Sequence, residues 1–291
     1  MVRRHELTDE EWALLAPLMP AHPHKGKRWA DHRKVINAIL FRTRTGIPWR
    51  DLPERYGPWE TAAGRHRRWS LDGTWDRIAE RLRIDAATGE ALEVGIDSTT
   101  VRAHHHAAGA TKKGKRPGTN RTDEALGRSR GGLTTKIHLI ADNRRRPLAI
   151  ATSPGQRGDT RMFEPLMAAL RLPRSAGRSR TRPDRLLADK AYSSSAIRAH
   201  LRRRGIRATI AQPHDQSANR KRKGAKGGRP PTFDRDTYRN RNTVERSINL
   251  PKQNRAVATR YDKRAAIYDG TTQIASIRIW LRDLTRSKNT T

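Results

Sequence analysis

The chain contains no cysteine. Disulfides and thiolate metal sites are therefore excluded, which agrees with a reducing, cytoplasmic setting. Acidic residues are scarce as well: 29 Asp and Glu stand against 62 Lys and Arg in 291 residues, a formal net charge of +33. Self-repulsion on that scale disfavours a compact state, and a polyanionic partner is the usual reason to tolerate it. No apolar run reaches transmembrane length, and the opening MVRRHELTDEEW lacks the apolar stretch of a signal peptide. No basic amphipathic helix with a continuous apolar face is visible either, which disfavours a membrane as the polyanion. Nucleic acid is the favoured partner, because each neutralised phosphate releases counterions. The expected location is the cytoplasm, in association with the nucleoid.

What is present divides in two. Up to about residue 88 the pattern is helical. Thr8 and Glu11 form a T-x-x-E capping box ahead of Leu14, Leu15 and Leu18. A second helix runs from about Asp31 with Val35, Ile36, Ile39 and Leu40 inward, and Gly46 stops it. Arg65, His66, Arg67 and Arg68 cluster in TAAGRHRRW, and a further helix opens at Thr74 over Trp75, Ile78 and Leu82. Short helices, a glycine turn and an arginine-rich helix suit a helix-turn-helix-like domain, with Arg65, Arg67 and Arg68 as DNA contacts. Residues 1–88 are read as that domain and 89–291 as a second, α/β domain.

From Ala91 the period changes to two. ALEVGID, LTTKIHLIAD and RPLAIATSPG alternate as three consecutive strands, most simply an antiparallel meander. MFEPLMAAL is helical, RLLAD is a short strand ending at Asp189, SSSAIRAHLRRRG is a helix, and IRATIAQP is a fifth strand. Residues 213–237, with six basic residues at 220–229, read as a basic loop insertion too poor in apolar residues to fold alone. A final helix stacks Ile274, Ile277, Leu281 and Leu284. Before it, Tyr238, Arg241, Glu245 and Lys252 are spaced three, four and seven apart. At about 100° per residue they share one face of a helix. That face carries polar and charged groups where a core helix would carry Leu or Ile, so it is expected to meet a charged ligand.

The element order β-β-β-α-β-α-β-α, with Asp97 on the first strand, Asp189 ending the fourth and Glu245 on the helix after the fifth, resembles the ribonuclease H-like fold of DDE transposases and integrases. GIDSTTVRAHHHAAGA, GRSRGGLTTKIHLIAD, GQRGDT, LLADKAYSS and VERSINLPKQNRAVATRYDK are, in that order, similar to segments of bacterial insertion-sequence transposases. Tyr238, Arg241, Glu245 and Lys252 match the Y-x2-R-x3-E-x6-K signature of one large group of them. The N-terminal LTDEEWALLAPLMP and GIPWRDLPERYGPWETAAGRHRRW resemble the helical domain that precedes catalysis there, so the resemblance covers roughly residues 5–285.

The resemblance implies a mixed ribonuclease H-like sheet flanked by helices. It implies Asp97, Asp189 and Glu245 as catalytic metal ligands, and Tyr238, Arg241 and Lys252 as grips on the DNA end, with Lys190 beside them. Three converging carboxylates need cations, and hard oxygen donors favour Mg²⁺, with Mn²⁺ as substitute. The implied reaction is hydrolytic nicking of double-stranded DNA at the terminal inverted repeats, then attack of the 3′-hydroxyl on target DNA by a homodimer holding both ends. A metal-dependent endonuclease without strand transfer and an inactive DNA-binding remnant are the rivals. Other residues are read more plainly. His104, His105 and His106 alternate direction if extended and do not easily chelate together, so DNA or backbone contact is expected of them. Asp142 and Asp159 are expected to be structural or to support the site. Pro251 stands where the family carries a leucine-like residue, and proline breaks helices. The helix is therefore expected to kink or end near Leu250 and displace Lys252. Asn254 stands where the family commonly carries a large aromatic.

Overall fold

The computed structural model describes residues 3–22, 28–84, 91–109 and 124–288. The expected boundary at residue 88 lies outside them. Helix α1 (Asp9–Leu15) opens on the capping box: Glu11 N donates to Thr8 Oγ1 at 3.2 Å, and Thr8 N donates to the Glu11 carboxylate at 2.9 Å. Helix α2 (His32–Thr45) is capped by Asp31 and stopped by Gly46, whose φ of +72° suits glycine. Helices α3 (Trp59–Leu71) and α4 (Thr74–Leu82) meet at a turn through Gly73, φ +75°.

The sheet is built around β1 (Glu93–Ala103), followed by the short helix α5 (His105–Ala108). Strands β3 (Gly132–Asp142) and β4 (Pro147–Pro154) complete the antiparallel meander, with β2 (Gly127–Ser129) added on β3. Helix α6 (Thr160–Ala169) leads to β5 (Arg185–Ala188), which lies parallel to β1 on its other side. Helix α7 (Ser195–Arg203) then leads to β6 (Arg207–Ile210), parallel to β5. The order β4-β3-β1-β5-β6, antiparallel on one side of β1 and parallel on the other, is the ribonuclease H-like arrangement.

Between β6 and the signature residues the chain is more ordered than its composition implies. Residues 213–237 carry α8 (His214–Arg222) and most of α9 (Arg235–Arg239). Helix α8 buries no side chain. Asp215 in its first turn and Arg220, Lys221 and Arg222 in its last complement the helix dipole, so local terms support it. Then come α10 (Arg241–Lys252), α11 (Arg255–Ala258), β7 (Thr259–Arg260) against β1, and the long α12 (Ala265–Lys288).

Helix α12 packs both on β4 and on α1 to α4, and a single apolar core runs from Leu15, Ile39 and Trp75 through Trp280 to Ile96 and Phe163. Inside that contact lies a polar relay. Trp75 Nε1 donates to His66 Nδ1 at 3.2 Å, which leaves His66 Nε2 to donate to Thr271 Oγ1 at 3.2 Å. Thr271 in turn donates to Asp262 at 2.8 Å, and Arg42 closes the chain on Asp262 at 3.0 Å. Burial holds the His66 imidazole down at about 4, so it is neutral and the assignment is self-consistent. Arg42 and Asp262 are each 5% exposed in their side chains. Replacing Asp262 by Ala would strand the Arg42 charge in the core, and the expected loss is about 3–5 kcal/mol in urea unfolding of the whole chain. The double change Arg42→Met, Asp262→Leu should recover most of it.

Candidate active site

Strands β1 and β5 run in parallel with Ile96 opposite Ala188, so Asp97 and Asp189 follow a paired position on adjacent strands and leave the same face. Asp189 ends its strand and accepts from Ala191 N at 2.9 Å, which turns the chain away and leaves the carboxylate at the strand end. The third acid is brought by α10. Gly95 lies two residues before Asp97 on that face. A Cβ there would sit 1.7 Å from Val244 Cγ2, so the helix rests directly on β1 backbone. Glu245 is the next residue. Further along, Lys252 Nζ donates to Thr99 Oγ1 at 3.1 Å, so the helix is tied to β1 on both sides of Asp97.

The electrostatics follow from that placement. Burial raises the Asp97 carboxyl above its usual range, and Asp189 and Glu245 add to the rise, while a hydrogen bond from Ser98 N and the Arg241 charge oppose it. Arg241 shows the converse. Burial would lower it, but Tyr238, Glu245, Asp97 and Asp189 together hold it above its ordinary value. Its guanidinium donates to Glu245 at 2.6 Å. Arg241 is therefore the cation on which all three acids and Tyr238 bear.

The chemistry of the donor set, two adjacent carboxylates and a third within reach, with a desolvated Asp97 that lacks full compensation, suits a hard divalent cation. The ligand atoms are not gathered tightly. Among the described residues, the three-residue group whose ligand atoms all lie within 4.8 Å of one another is His104, His105 and His106. Glu245 is turned to Arg241 and half exposed. The histidine result also corrects the extended-chain argument. The chain turns into α5 directly after His104, so the three rings cluster with centroids 4.0 to 4.5 Å apart, tilted or edge-on to one another, instead of alternating. His104 Nδ1 is already engaged by His106 N.

Other expectations are sharpened or corrected. Tyr238 is not on the same helix as Glu245: it lies on α9, which ends one residue before α10 begins at Arg241. Arg185 holds α9 in place by bonding Asp234 at 3.1 Å and Thr237 at 3.0 Å, and it lies 3.6 Å from Glu93. Helix α10 ends two residues past Leu250, running through Pro251 to Lys252; the proline leaves the last turn without one N–H bond but does not displace Lys252, which reaches Thr99. Asn254 closes that end, donating to Pro251 O from both its backbone N and its Nδ2 at 3.0 Å. The two departures from the family pattern thus work together.

Lys190 is exposed beside Asp189. Arg67 and Arg68 face solvent, but Arg65 is a correction: it is 6% exposed, with its guanidinium 3.9 Å over Trp29 and 5.1 Å over Trp69. Burial pushes it down to about 10. Asp142 is structural, accepting from Arg146 at the β3–β4 turn, far along the strand from Leu139, the partner of Asp97. Asp159 supports β1 from the opposite face, accepting from Ser98 Oγ at 2.8 Å and Lys136 Nζ at 2.9 Å. Gly95 and Thr99 were missed by sequence reasoning. Their signal was alternation with Asp97 in VGIDSTT, which puts all three on one face.

Residues 90–272 match the model of a family described as "Transposase DDE domain". The chain belongs to that family. Residues 7–79 of this transposase match a second model, "Putative transposase of IS4/5 family". A "Putative transposase for insertion sequence element IS6501" from Brucella ovis is 29% identical over 150 residues, 52% of this chain and 100% of that protein. An uncharacterized protein, y4sN, from Sinorhizobium fredii is 39% identical over 115 residues, 38% of this chain and 89% of that one. Among solved structures, a piggyBac transposase synaptic complex with hairpin DNA superposes with a TM-score of 0.42 and 11% identity, over 95% of this chain and 72% of that one. A pre-cleavage Mos1 transpososome gives 0.27 and 11%, over 91% and 82%. These superpositions are loose, and the fold assignment comes from this chain's own strand order. The transposase family uses divalent metal ions. No helix among the described residues is long and apolar enough to cross a membrane.

The contact at Gly95 generates a test. Gly95→Ala is expected to lift α10 and cost about 1–3 kcal/mol of stability, with loss of DNA-end cleavage through the displaced Glu245. Adding Val244→Ala removes the 1.7 Å and 2.9 Å clashes but leaves Val244 Cβ at 2.8 Å. Partial recovery in both thermal melts and cleavage is expected.

Proposed function

We propose that this transposase binds double-stranded DNA at the terminal inverted repeats of its element, nicks it by metal-dependent hydrolysis and transfers the freed 3′-hydroxyl to target DNA. The observation that carries the proposal is that Asp97 and Asp189 leave adjacent strands on one face, with Glu245 brought toward them by α10, and that all three bear on the guanidinium of Arg241. Asp97 and Asp189 would hold Mg²⁺, or Mn²⁺ in its place, and Glu245 would complete the second half of the site. When bound, such ions lower the pKa of an attacking water or 3′-hydroxyl and stabilise the leaving oxygen.

The remaining roles belong to the chain. Arg241 holds the Glu245 carboxylate in place before the cation arrives, and it is placed to take a phosphate afterwards, since a guanidinium binds either oxyanion bidentately. Lys252, held at Thr99, and Tyr238 on α9 flank the carboxylates and would grip the end strand, with Lys190 as an exposed charge beside Asp189. In the N-terminal unit, residues 1–88, the exposed Arg67 and Arg68 are the DNA contacts, and Arg65 stiffens the helix that carries them. Residues 89–291 form the catalytic unit. A homodimer holds the two ends together, working in the cytoplasm at the nucleoid.

The test uses the whole chain with Mg²⁺, duplexes bearing the inverted repeats that flank the gene, and a target plasmid. The wild type is expected to release and join the end. Asp97→Asn and Glu245→Gln should each lower both products by about 10²–10³-fold or more, while still binding the duplex. Cleavage without joined product would establish an endonuclease instead, and tight binding with neither product under Mg²⁺ or Mn²⁺ would establish a DNA-binding remnant.

A further inference from the structure

A cleft of about 300 Å³ opens at the C-terminal end of α10, where four separate parts of the chain meet. Helix α2 supplies Arg44, the β3–β4 turn supplies Arg144, Arg145 and Arg146, the end of α10 supplies Leu250 and Gln253, and α12 supplies Arg278 and Arg282. Seven arginines line it against one carboxylate, Asp283. Part of that charge is used internally. Arg144 bonds Asp283 at 3.0 Å, Arg146 lies 2.7 Å from Asp142, and Arg278 lies 2.9 Å from Glu11. Three carboxylates do not balance seven guanidiniums. Arg145 and Arg282 face solvent, and Arg145 sits at the turn with a φ of +65°, which an L-residue rarely adopts. The His5 imidazole at the rim reports the surplus. Burial lowers it, and Arg4, Arg44, Arg278 and Arg282 lower it further.

We propose that this arginine cleft is a docking site for the phosphate backbone of the DNA duplex on which the carboxylates act. Two features favour duplex DNA over a free anion. The excess charge comes from three segments of chain, α2, the β3–β4 turn and α12, around an open cleft, as a run of phosphates requires. The cleft also shares α10 with the carboxylates: Leu250 and Gln253 stand five and eight residues beyond Glu245, about 8–12 Å along the helix axis. That is about two to four base pairs at the 3.4 Å rise of each strand. A duplex seated at Glu245 and running toward the C-terminal end of α10 would reach the cleft within that distance. The inference takes its partner from the transposase reading but not from any catalytic step.

The experiment measures equilibrium binding of a fluorescent 30-base-pair duplex of arbitrary sequence, without metal, across a salt series. Arg145→Glu, Arg282→Glu is compared with a charge-matched control, Arg171→Glu, Arg174→Glu, which changes two exposed arginines outside the cleft. The cleft variant is expected to bind at least about ten-fold more weakly than the control, with the log–log salt slope reduced by about two. Equal losses in the two variants would overturn the proposal, because only bulk charge would then be involved. It would also be overturned if the cleft variant bound the duplex as tightly as the control but lost binding of inorganic phosphate measured by calorimetry, since that would mark a small-anion site. The measurement involves neither metal nor a catalytic step. Failure of strand transfer therefore leaves this measurement intact, and failure here leaves the catalytic reading intact.

Discussion

The absence of a side chain at Gly95 is the constraint on which the active face depends. Without it, Val244 could not reach β1 backbone, and Glu245 would stand a side chain's depth further from the two aspartates. The contact fixes one point of α10, and the bond from Lys252 to Thr99 fixes a second. Two points on a rigid helix determine a line, and that line passes over Asp97. Packing of Ile248 on Leu139 and Ala141 then sets the rotation of the helix about its own axis. The placement of the carboxylates is thus built from strand and helix, which hold position better than loops do.

Charge is distributed with equal economy. A net +33 suggests a surface crowded with cations, yet several arginines are turned inward. Arg42, Arg65, Arg146 and Arg260 are all under 10% exposed. Each has a defined neighbour: Asp262 for Arg42, the Trp29 ring for Arg65, Asp142 for Arg146, and Thr135 with the carbonyls of Asp262 and Lys263 for Arg260. A guanidinium tolerates such sites because it is weakly hydrated and its flat faces stack on rings. Near the carboxylates the logic inverts, and a single arginine serves three acids.

Much of this was legible in the sequence. The period-two alternation gave the meander, the T-x-x-E box gave the first helix, and the aspartates stood out because each interrupts or ends an apolar strand. What was not legible was decided by tertiary contact. Arg65 reads like Arg67 and Arg68 until Trp29, distant in sequence, covers it. Pro251 reads as a residue that would displace Lys252 because local rules do not know that Asn254 binds the Pro251 carbonyl and that Lys252 is held at Thr99. The histidines read as divergent because the turn into α5 has no strong local signal. Helix α8 has no apolar face to reveal it, only a favourable placement of charges at its two ends.

The relay from Trp75 through His66, Thr271 and Asp262 to Arg42 joins residues near the start of the chain to residues near its end. Each half holds groups that only the other half satisfies. Cut between Ile84 and Ala91, the protein would yield two fragments, each with an orphaned buried charge and an uncovered apolar surface. Neither would be expected to hold its fold alone, but together they should reassociate as complementary pieces. In a chain made by a mobile element, this has a genetic corollary. Exchange of the N-terminal part between relatives would require the last helix to travel with it.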